Sequence, residues 1–384
     1  MHLITIESNE KGPSSIASHL SRPPSGILQN YRPPVVPPGE SQPDNRAQQP
    51  MVDLEEQEPE VTSPPPVAAT AAPSYSYHPM SWPVITLLAL PSVLGLLVRL
   101  GIHSLTTYEG DSVFALAWVQ GVGCFIMGLT LGKKQTIIDF YPPLYTAITT
   151  GFCGSLTTFS SWQLDVFQAW SNAGGFHRGW LRDVIDGLTK TAMTALVSLG
   201  GLAFGLHLST HIHLNPPSFR PNSVGAKVIG LISLLAYLAT IPLYFELSPR
   251  FRISTTSALL FSFPGTLTRH LLGTYINPLK ANIPVGTLGA NSLGTGLLAA
   301  FHVIQRTPVT PAACAILQGL IDGYCGCLTT ISTFAVEIRG LRGWNAWRYF
   351  ALSYIVGQAL MVVIIGGSWW SGRVKEHAMC YGPV

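Results

Sequence analysis

Two segments of this chain, residues 151–162 and 323–334, share one pattern and align without a gap at an offset of 172 residues. Each begins with glycines, continues with hydroxyl-bearing residues and is followed at the same distance by an acid, Asp165 or Glu337. Both lie in apolar runs long enough to enter a bilayer. Irregular backbone at membrane depth is tolerated only where protein or a water-filled cavity satisfies it. The repeated segment therefore predicts a pathway through a membrane.

The rest of the chain is apolar enough for a membrane protein. It is 47% hydrophobic and only 11% charged, whereas soluble domains carry about 25% charged residues. A bilayer core requires about 20 mainly apolar residues per helix. The chain therefore predicts an all-α integral membrane fold with nine spanning helices, at about 82–103, 112–132, 141–167, 186–207, 224–245, 254–275, 284–304, 311–337 and 344–370.

The nine predicted helices divide into two sets of four and one additional helix. Matched positions at offsets of 170 and 171 residues are Gly95 and Gly265, Arg99 and Arg269, Gln120 and Asn291, and Gly123 and Gly294. Constant offsets over successive helices indicate an internal duplication. A four-helix unit returns the chain to its starting side, so the additional helix at 224–245 would invert the second copy. We predict two inverted four-helix repeats joined by a linker helix, with the third helix of each repeat broken.

The first 80 residues differ from the rest, since they hold 15 of the 30 prolines and show no apolar periodicity. They are predicted to be a disordered, cytoplasmic tail. The predicted organisation is a tail at 1–80, a first repeat at 81–210, a linker at 211–252, and a second repeat with a short tail at 253–384.

Composition and motifs exclude several functions. A net charge of +3 is too small to indicate a nucleic-acid partner. The chain has no ATP-binding Gly-x-x-x-x-Gly-Lys-Ser/Thr motif. It also has no intramembrane nucleophile with a base, so an enzyme is not expected. Four cysteines in apolar segments are interpreted as small buried side chains rather than disulfide partners: Cys124, Cys153, Cys314 and Cys325.

Polar and aromatic side chains in the predicted helices are candidates for the pathway. The Asn291 amide either offers donors to an anion or bonds a neighbouring helix. Thr287 lies one turn earlier, and further hydroxyls follow at Ser332 and Thr333. Phe159 and Phe334 are either core residues or contacts for an anion through their positive ring edges.

Charged residues at matched positions have two interpretations as well. Arg99 and Arg269 either extend towards a vestibule or collect anions at its mouth. Asp165 and Glu337 are expected to cap the broken helix or to pair with a basic group. The glycines of the broken helices either allow close packing or free carbonyl groups for a central cation.

The motif Gly-Phe-Cys-Gly-Ser-Leu-Thr-Thr-Phe-Ser-Ser-Trp at 151–162, its copy at 323–334 and Gly-Thr-Leu-Gly-Ala-Asn-Ser-Leu-Gly at 286–294 resemble the signature of the CrcB/Fluc fluoride channel family. The two-repeat arrangement over about 82–370 resembles the eukaryotic fluoride exporters (FEX) of that family, with the long tail typical of fungi. The resemblance implies passive, selective fluoride conduction through a plasma membrane, fluoride resistance, and a fused pseudo-dimer that acts as a monomer in lipid. It also implies a structural sodium ion held by backbone carbonyls of Gly154, Thr157, Gly326 and Thr329.

The two repeats depart from the family pattern differently. The resemblance implies that a working pore combines Phe159, Phe334, Asn291 and Thr287, with Ser332 and Thr333 beside them. The equivalent residues of a second, vestigial pore are Ile331, Trp162, Gln120 and Leu116. Arg99, Arg269 and Glu337 would line vestibules. The alternative function is a proton-coupled or broader small-anion or drug exporter on the same scaffold.

Overall fold

Long helices make up most of the chain that the computed structural model describes, which is residues 77–108, 111–112, 114–215, 220–248, 251, 255–280, 282–375 and 380. The predicted disordered tail therefore lies outside the described residues, except for 77–80. The repeat and linker boundaries remain predictions.

The first half of the described chain contains seven helical elements. They are α1 (Trp82–Thr106), α2 (Ala115–Gly132), α3 (Lys134–Phe140), α4 (Pro142–Thr146, Ala147–Cys153 and Gly154–Leu156), α5 (Phe159–Trp170), α6 (Trp180–His211) and α7 (Ser223–Glu246). Between α1 and α2, two short antiparallel strands pair, β1 (Thr107–Tyr108) and β2 (Asp111–Ser112).

The second half repeats this order from the helix that corresponds to α1. Its elements are α8 (Ser257–Ile276), α9 (Val285–Gln305), α10 (Pro311–Gly319, Leu320–Cys325 and Gly326–Leu328), α11 (Ser332–Gly340) and α12 (Trp344–Trp370). A 3₁₀ turn, Asn277–Leu279, follows α8.

Seven helices of the described part are long and apolar enough to cross a membrane. The predicted segments at 141–167 and 254–275 are not among the seven. The first is divided into α4 and α5. The second forms α8, which carries buried polar groups at Arg269 and His270. The helical membrane fold is therefore confirmed, while the count of nine remains a prediction.

Both predicted broken helices are interrupted at matched places. After α4 the chain is extended at Thr157 and Thr158, with φ values of −92° and −144°. After α10 it is extended at Thr329, with φ −89°. A π-helical turn precedes each interruption, at Ala147–Cys153 and at Leu320–Cys325. Such turns occur frequently at functional sites.

Glycines allow α1 and α8 to approach the broken helices closely. A Cβ atom on Gly95 would clash with the carbonyl oxygen of Phe152 in α4, and one on Gly265 would clash with that of Tyr324 in α10. Equivalent glycines therefore seat equivalent helices in the two halves. Small residues serve helix packing in membranes in this way.

The helix α6 is longer than the predicted segment at 186–207, because it begins at Trp180. Arg178 bonds to carboxylates of the first turns, with its Nε 2.5 Å from Asp183 Oδ1 and its Nη2 2.9 Å from Asp186 Oδ2. Acidic groups at a helix N-terminus are favourable, so this ion-pair cluster extends the helix beyond its apolar part.

The interpretation of Cys314 as an unpaired buried cysteine is wrong, because it forms a disulfide with Cys380. Cys124, Cys153 and Cys325 are free and buried, as predicted. Cys380 follows the last helix, and 66 residues separate it from its partner. Only the folded chain brings the two sulfurs together.

Candidate functional site

The two helix interruptions are joined by threonine hydroxyls. Thr157 Oγ1 accepts the N–H groups of Ile331 (3.2 Å) and Ser332 (3.0 Å) at the start of α11. Thr329 Oγ1 accepts those of Phe159 (3.2 Å) and Ser160 (3.2 Å) at the start of α5. The first N–H groups of a helix have no partner within it. Each interruption therefore caps the half-helix that follows the other interruption.

Two amide side chains hold the extended backbone in place. Gln120 in α2 donates from Nε2 to the Thr158 carbonyl (2.6 Å) and accepts the Thr158 N–H at Oε1 (3.1 Å). Asn291 in α9 does the same at Thr330, with distances of 3.3 Å and 2.9 Å. Both amides are buried. Asn291 thus bonds a neighbouring segment, and one hydrogen of its NH₂ group remains for another acceptor.

Buried arginines connect the outer helices to the interrupted ones. Arg269 donates from Nε to the Cys327 carbonyl (2.9 Å) and from Nη2 to the Thr150 carbonyl (2.8 Å). Arg99 donates to the Asp322 carbonyl. Only 5% of each residue is exposed. Neither side chain extends to the surface, because its guanidinium satisfies backbone carbonyls inside the protein.

The interruption leaves carbonyl oxygens without their helical donors. In a continuous helix, the N–H groups of Thr158 and Ser161 would bond to the carbonyls of Gly154 and Thr157. They bond to Gln120 and to Thr158 Oγ1 instead. The second copy repeats this, since the N–H groups of Thr330 and Thr333 bond to Asn291 Oδ1 and Thr330 Oγ1 rather than to the carbonyls of Gly326 and Thr329. Four freed carbonyl oxygens fit the ligand set of a small hard cation.

The carboxylate of Glu337 accepts three hydrogen bonds from neutral groups. Its Oε1 accepts from Thr287 Oγ1 (2.5 Å) and Asn277 Nδ2 (3.3 Å), and its Oε2 accepts from the Tyr349 hydroxyl (2.7 Å). The expected cap or basic partner is therefore wrong for Glu337. Its position near the end of α11 is far from the helix start, and α9, α12 and the turn after α8 supply its donors.

Aromatic rings lie beside this network. The ring centroids of Phe159 and Phe334 are 5.6 Å apart with an edge-to-face angle of 75°. Phe334 also lies 5.0 Å from Tyr349. Trp162 lies 5.4 Å from Phe159, and Ile331 belongs to the same buried cluster. The structure thus brings the paired phenylalanines together, and it places the residues of the predicted vestigial set against them.

Two cavities reach the interruptions from different helices. A cavity of about 390 Å³, the Arg269 cavity, is lined by Arg269, His270, Asn277, Thr287 and Thr333 among others. A cavity of about 420 Å³, the Arg99 cavity, is lined by Arg99, Leu116, Ser161, Asp165 and Asp322 among others. No carboxylate is among the described residues that line the first cavity, whereas two line the second. Positive charge without carboxylates concentrates anions, so the two cavities differ electrostatically.

Four site residues have further defined positions. Ser332 is fully buried, and its hydroxyl bonds to those of Thr157 (3.0 Å) and Thr330 (3.2 Å), so it lies between the interruptions. Thr287 and Thr333 line the Arg269 cavity, while Leu116 lines the Arg99 cavity. Ser332 is therefore not on a cavity wall, and Thr287 and Leu116 face different cavities.

The sequence analysis missed Asn277 and Tyr349. Asn277 precedes Pro278 in a turn, and Tyr349 has no polar residue at a repeated offset to mark it. The structure joins both to Glu337. A search for polar residues one helical turn apart could have suggested Tyr349, because Ser353 follows four residues later and both are buried.

Comparison with known proteins agrees with this arrangement. A family model described as CrcB-like protein, Camphor Resistance (CrcB), matches residues 86–206 and again residues 256–367. The predicted duplication is therefore confirmed. No solved structure matches the chain.

Three relatives illustrate the similarity. The chain is 32% identical to fluoride export protein 1 of Candida albicans over 76% of this chain and 81% of the relative. It is 31% identical to fluoride export protein 1 of Neurospora crassa over 76% of this chain and 68% of the relative. The fluoride-specific ion channel FluC of Pseudomonas paraeruginosa is 36% identical over 28% of this chain and 89% of the relative.

Proposed function

Because the chain belongs to the CrcB-like protein family, we propose that it is a channel that exports fluoride passively across the plasma membrane and confers fluoride resistance. The relatives named as fluoride export proteins and as a fluoride-specific channel support this function. The observation that carries it is the Arg269 cavity, which leads to the hydroxyls of Thr287 and Thr333 without an intervening carboxylate on its described wall. A channel of this kind is a membrane transport protein rather than an enzyme.

The mechanism follows from the chemistry of a small, strongly hydrated anion. Burying such a charge is costly unless new donors replace water. Arg269 and His270 would gather the anion in the cavity, and Thr287 and the remaining Asn291 N–H would supply donors. The edges of Phe159 and Phe334 would then contact it weakly, because ring edges are positive. Binding that is favourable but weak is the condition for conduction.

We propose one working pathway rather than two. Thr287 is replaced by Leu116 at the equivalent position, so the second pathway lacks that hydroxyl. The Arg99 cavity also carries Asp165 and Asp322. Carboxylates repel an anion, so both differences favour conduction from the Arg269 cavity.

The freed carbonyls of Gly154, Thr157, Gly326 and Thr329 would hold a structural sodium ion. When bound, it would neutralise the oxygen dipoles that the two interruptions direct towards each other. The chain would function as a monomer, because one polypeptide carries both repeats.

The proposed topology has nine spans, with α4–α5 and α8 added to the seven apolar helices. The ends of α9 and α12 then lie on one side of the membrane, and the start of α1 lies on the other. Cys314 and Cys380 are on the former side. Disulfides persist in oxidising compartments, so this side is assigned to the exterior and the N-terminus to the cytoplasm. The Arg269 cavity, which Tyr77 and Pro79 also line, then opens inward.

Vesicles loaded with fluoride test the function directly. We expect rapid, voltage-driven efflux on a fluoride electrode and no comparable efflux of chloride. An inside-negative potential contributes about 2.3 kcal/mol per charge per 100 mV. The rate should not depend on an imposed proton gradient, and a dependence would favour the proton-coupled alternative. Absence of fluoride efflux from well-folded protein would exclude the proposed function.

Thiol labelling tests the orientation. In intact cells, a membrane-impermeant maleimide is expected to label the chain only after a membrane-impermeant reductant opens the Cys314–Cys380 bond. The double variant Cys314→Ser and Cys380→Ser serves as the control, and it should remain unlabelled because the other cysteines are buried. Labelling that requires permeabilised cells would reverse the assigned orientation.

A further inference from the structure

Asn277 occupies the turn after α8 and contacts two residues of the site. Its Oδ1 accepts the N–H of Thr287 (3.0 Å), and its Nδ2 lies 3.2 Å from Thr287 Oγ1 and 3.3 Å from Glu337 Oε1. Asn277 also lines the Arg269 cavity. One amide therefore fixes the backbone and the hydroxyl of Thr287 together with the carboxylate that the hydroxyl faces.

The local sequence explains why this amide reaches α9. Pro284 precedes the helix and offers no side-chain acceptor, so the Thr287 N–H needs a partner from elsewhere. A Cβ atom on Gly286 would crowd Asn277 Oδ1 and clash with the Leu272 carbonyl. Glycine at 286 thus lets the turn come close enough for Asn277 to act as a cap from ten residues away.

The contact continues into the aromatic part of the site. Thr287 donates to Glu337, Glu337 accepts from Tyr349, and the Tyr349 ring lies 5.0 Å from that of Phe334. Asn277 is the member of this chain of contacts at the turn between α8 and α9. A change in its amide would be felt at the Thr287 hydroxyl first.

The other repeat has no such amide. The positions that correspond to Asn277 at offsets of 171 and 170 are Thr106 and Thr107. Their hydroxyls bond to nearby carbonyls, those of Ile102 (2.8 Å) and His103 (2.9 Å). The amide contact thus accompanies Thr287 and is missing, among the described residues, beside Leu116.

We propose that Asn277 is a positioning residue for the fluoride path, which holds the Thr287 hydroxyl in the orientation that an anion in the Arg269 cavity meets. Without the Nδ2 donor, Thr287 Oγ1 and Glu337 Oε1 lose a shared partner, and the hydroxyl can rotate away from the cavity. The inference rests on the proposed function, because it assigns Asn277 a role in that same path.

The Asn277→Asp variant separates positioning from simple capping. The new carboxylate still accepts the Thr287 N–H, but it cannot donate to Thr287 or Glu337. We expect fluoride efflux to fall about tenfold or more, which corresponds to 1.4 kcal/mol. Because a protonated carboxyl donates again, efflux of this variant should recover as the pH is lowered, while that of the wild type should not rise.

Asn222 provides the matched control. It caps α7 through its Oδ1, which lies 2.7 Å from the Gly225 N–H, and it is remote from both cavities' described walls. Asn222→Asp should retain wild-type efflux at every pH. Asn277→Asp that conducts within about twofold of the wild type, on the scale where tenfold is 1.4 kcal/mol, would show that Asn277 is only a cap. Absence of wild-type efflux would instead overturn the proposed function, and the inference with it.

Discussion

Asn291→Ala is expected to reduce fluoride efflux by about 100-fold or more, the scale seen when one preorganised donor to a buried anion is removed. Two effects combine in this variant. The anion loses the second N–H of the amide, and the Thr330 peptide loses both of its partners. The measurement is efflux from vesicles per folded channel, with folding followed by far-ultraviolet circular dichroism.

Gln120→Ala is the paired variant, because it removes the equivalent clamp at Thr158. An unsatisfied buried polar group costs about 1–3 kcal/mol, so both variants should unfold more easily. Efflux per folded channel should nevertheless persist in Gln120→Ala, because the second set lacks the Thr287 hydroxyl. Equal losses of efflux in the two variants would contradict a single working path.

Thr157→Val and Thr329→Val are each expected to destabilise the protein by about 2 kcal/mol or more, because an N-cap and two buried acceptor contacts disappear together. Each hydroxyl accepts two N–H groups from the opposite half of the chain. Valine keeps the branched shape and removes only the polar atom. The midpoint of unfolding in detergent measures the effect.

Serine and a surface threonine control for this prediction. Thr157→Ser keeps the hydroxyl and should recover most of the stability. Thr310 caps α10 through a single exposed N–H, that of Ala313 at 3.3 Å, so Thr310→Val should cost well under half as much. If valine at 157 or 329 proved harmless, the hydroxyls would not be what joins the two halves.

The sequence predicted those elements whose cause is local. Length and hydropathy locate α7 and α12 to within one residue, since the predicted segments were 224–245 and 344–370. The repeated glycine and threonine pattern locates both interruptions, because an extended residue must follow where the helical bonds stop. The same offset pairs Gln120 with Asn291, and the structure gives the two amides one task.

Contacts between distant segments were beyond such reasoning. Nothing in the sequence connects Cys314 to Cys380 or directs Asn277, Thr287 and Tyr349 to Glu337. The arginines were expected near vestibules, yet they also hold the carbonyls of the interrupted helices. Only the packing of α8 against α4 and α10 decides which acceptors a buried guanidinium reaches.

The shared caps have a consequence for biosynthesis. The start of α5 is completed by Thr329, which a ribosome adds 170 residues after Phe159. At about 5–20 residues per second, the delay is on the order of 10–30 s. During that interval the first half sits in the translocation machinery with uncapped N–H groups at membrane depth. The nascent chain is therefore expected to need a chaperone in the membrane until its second half emerges.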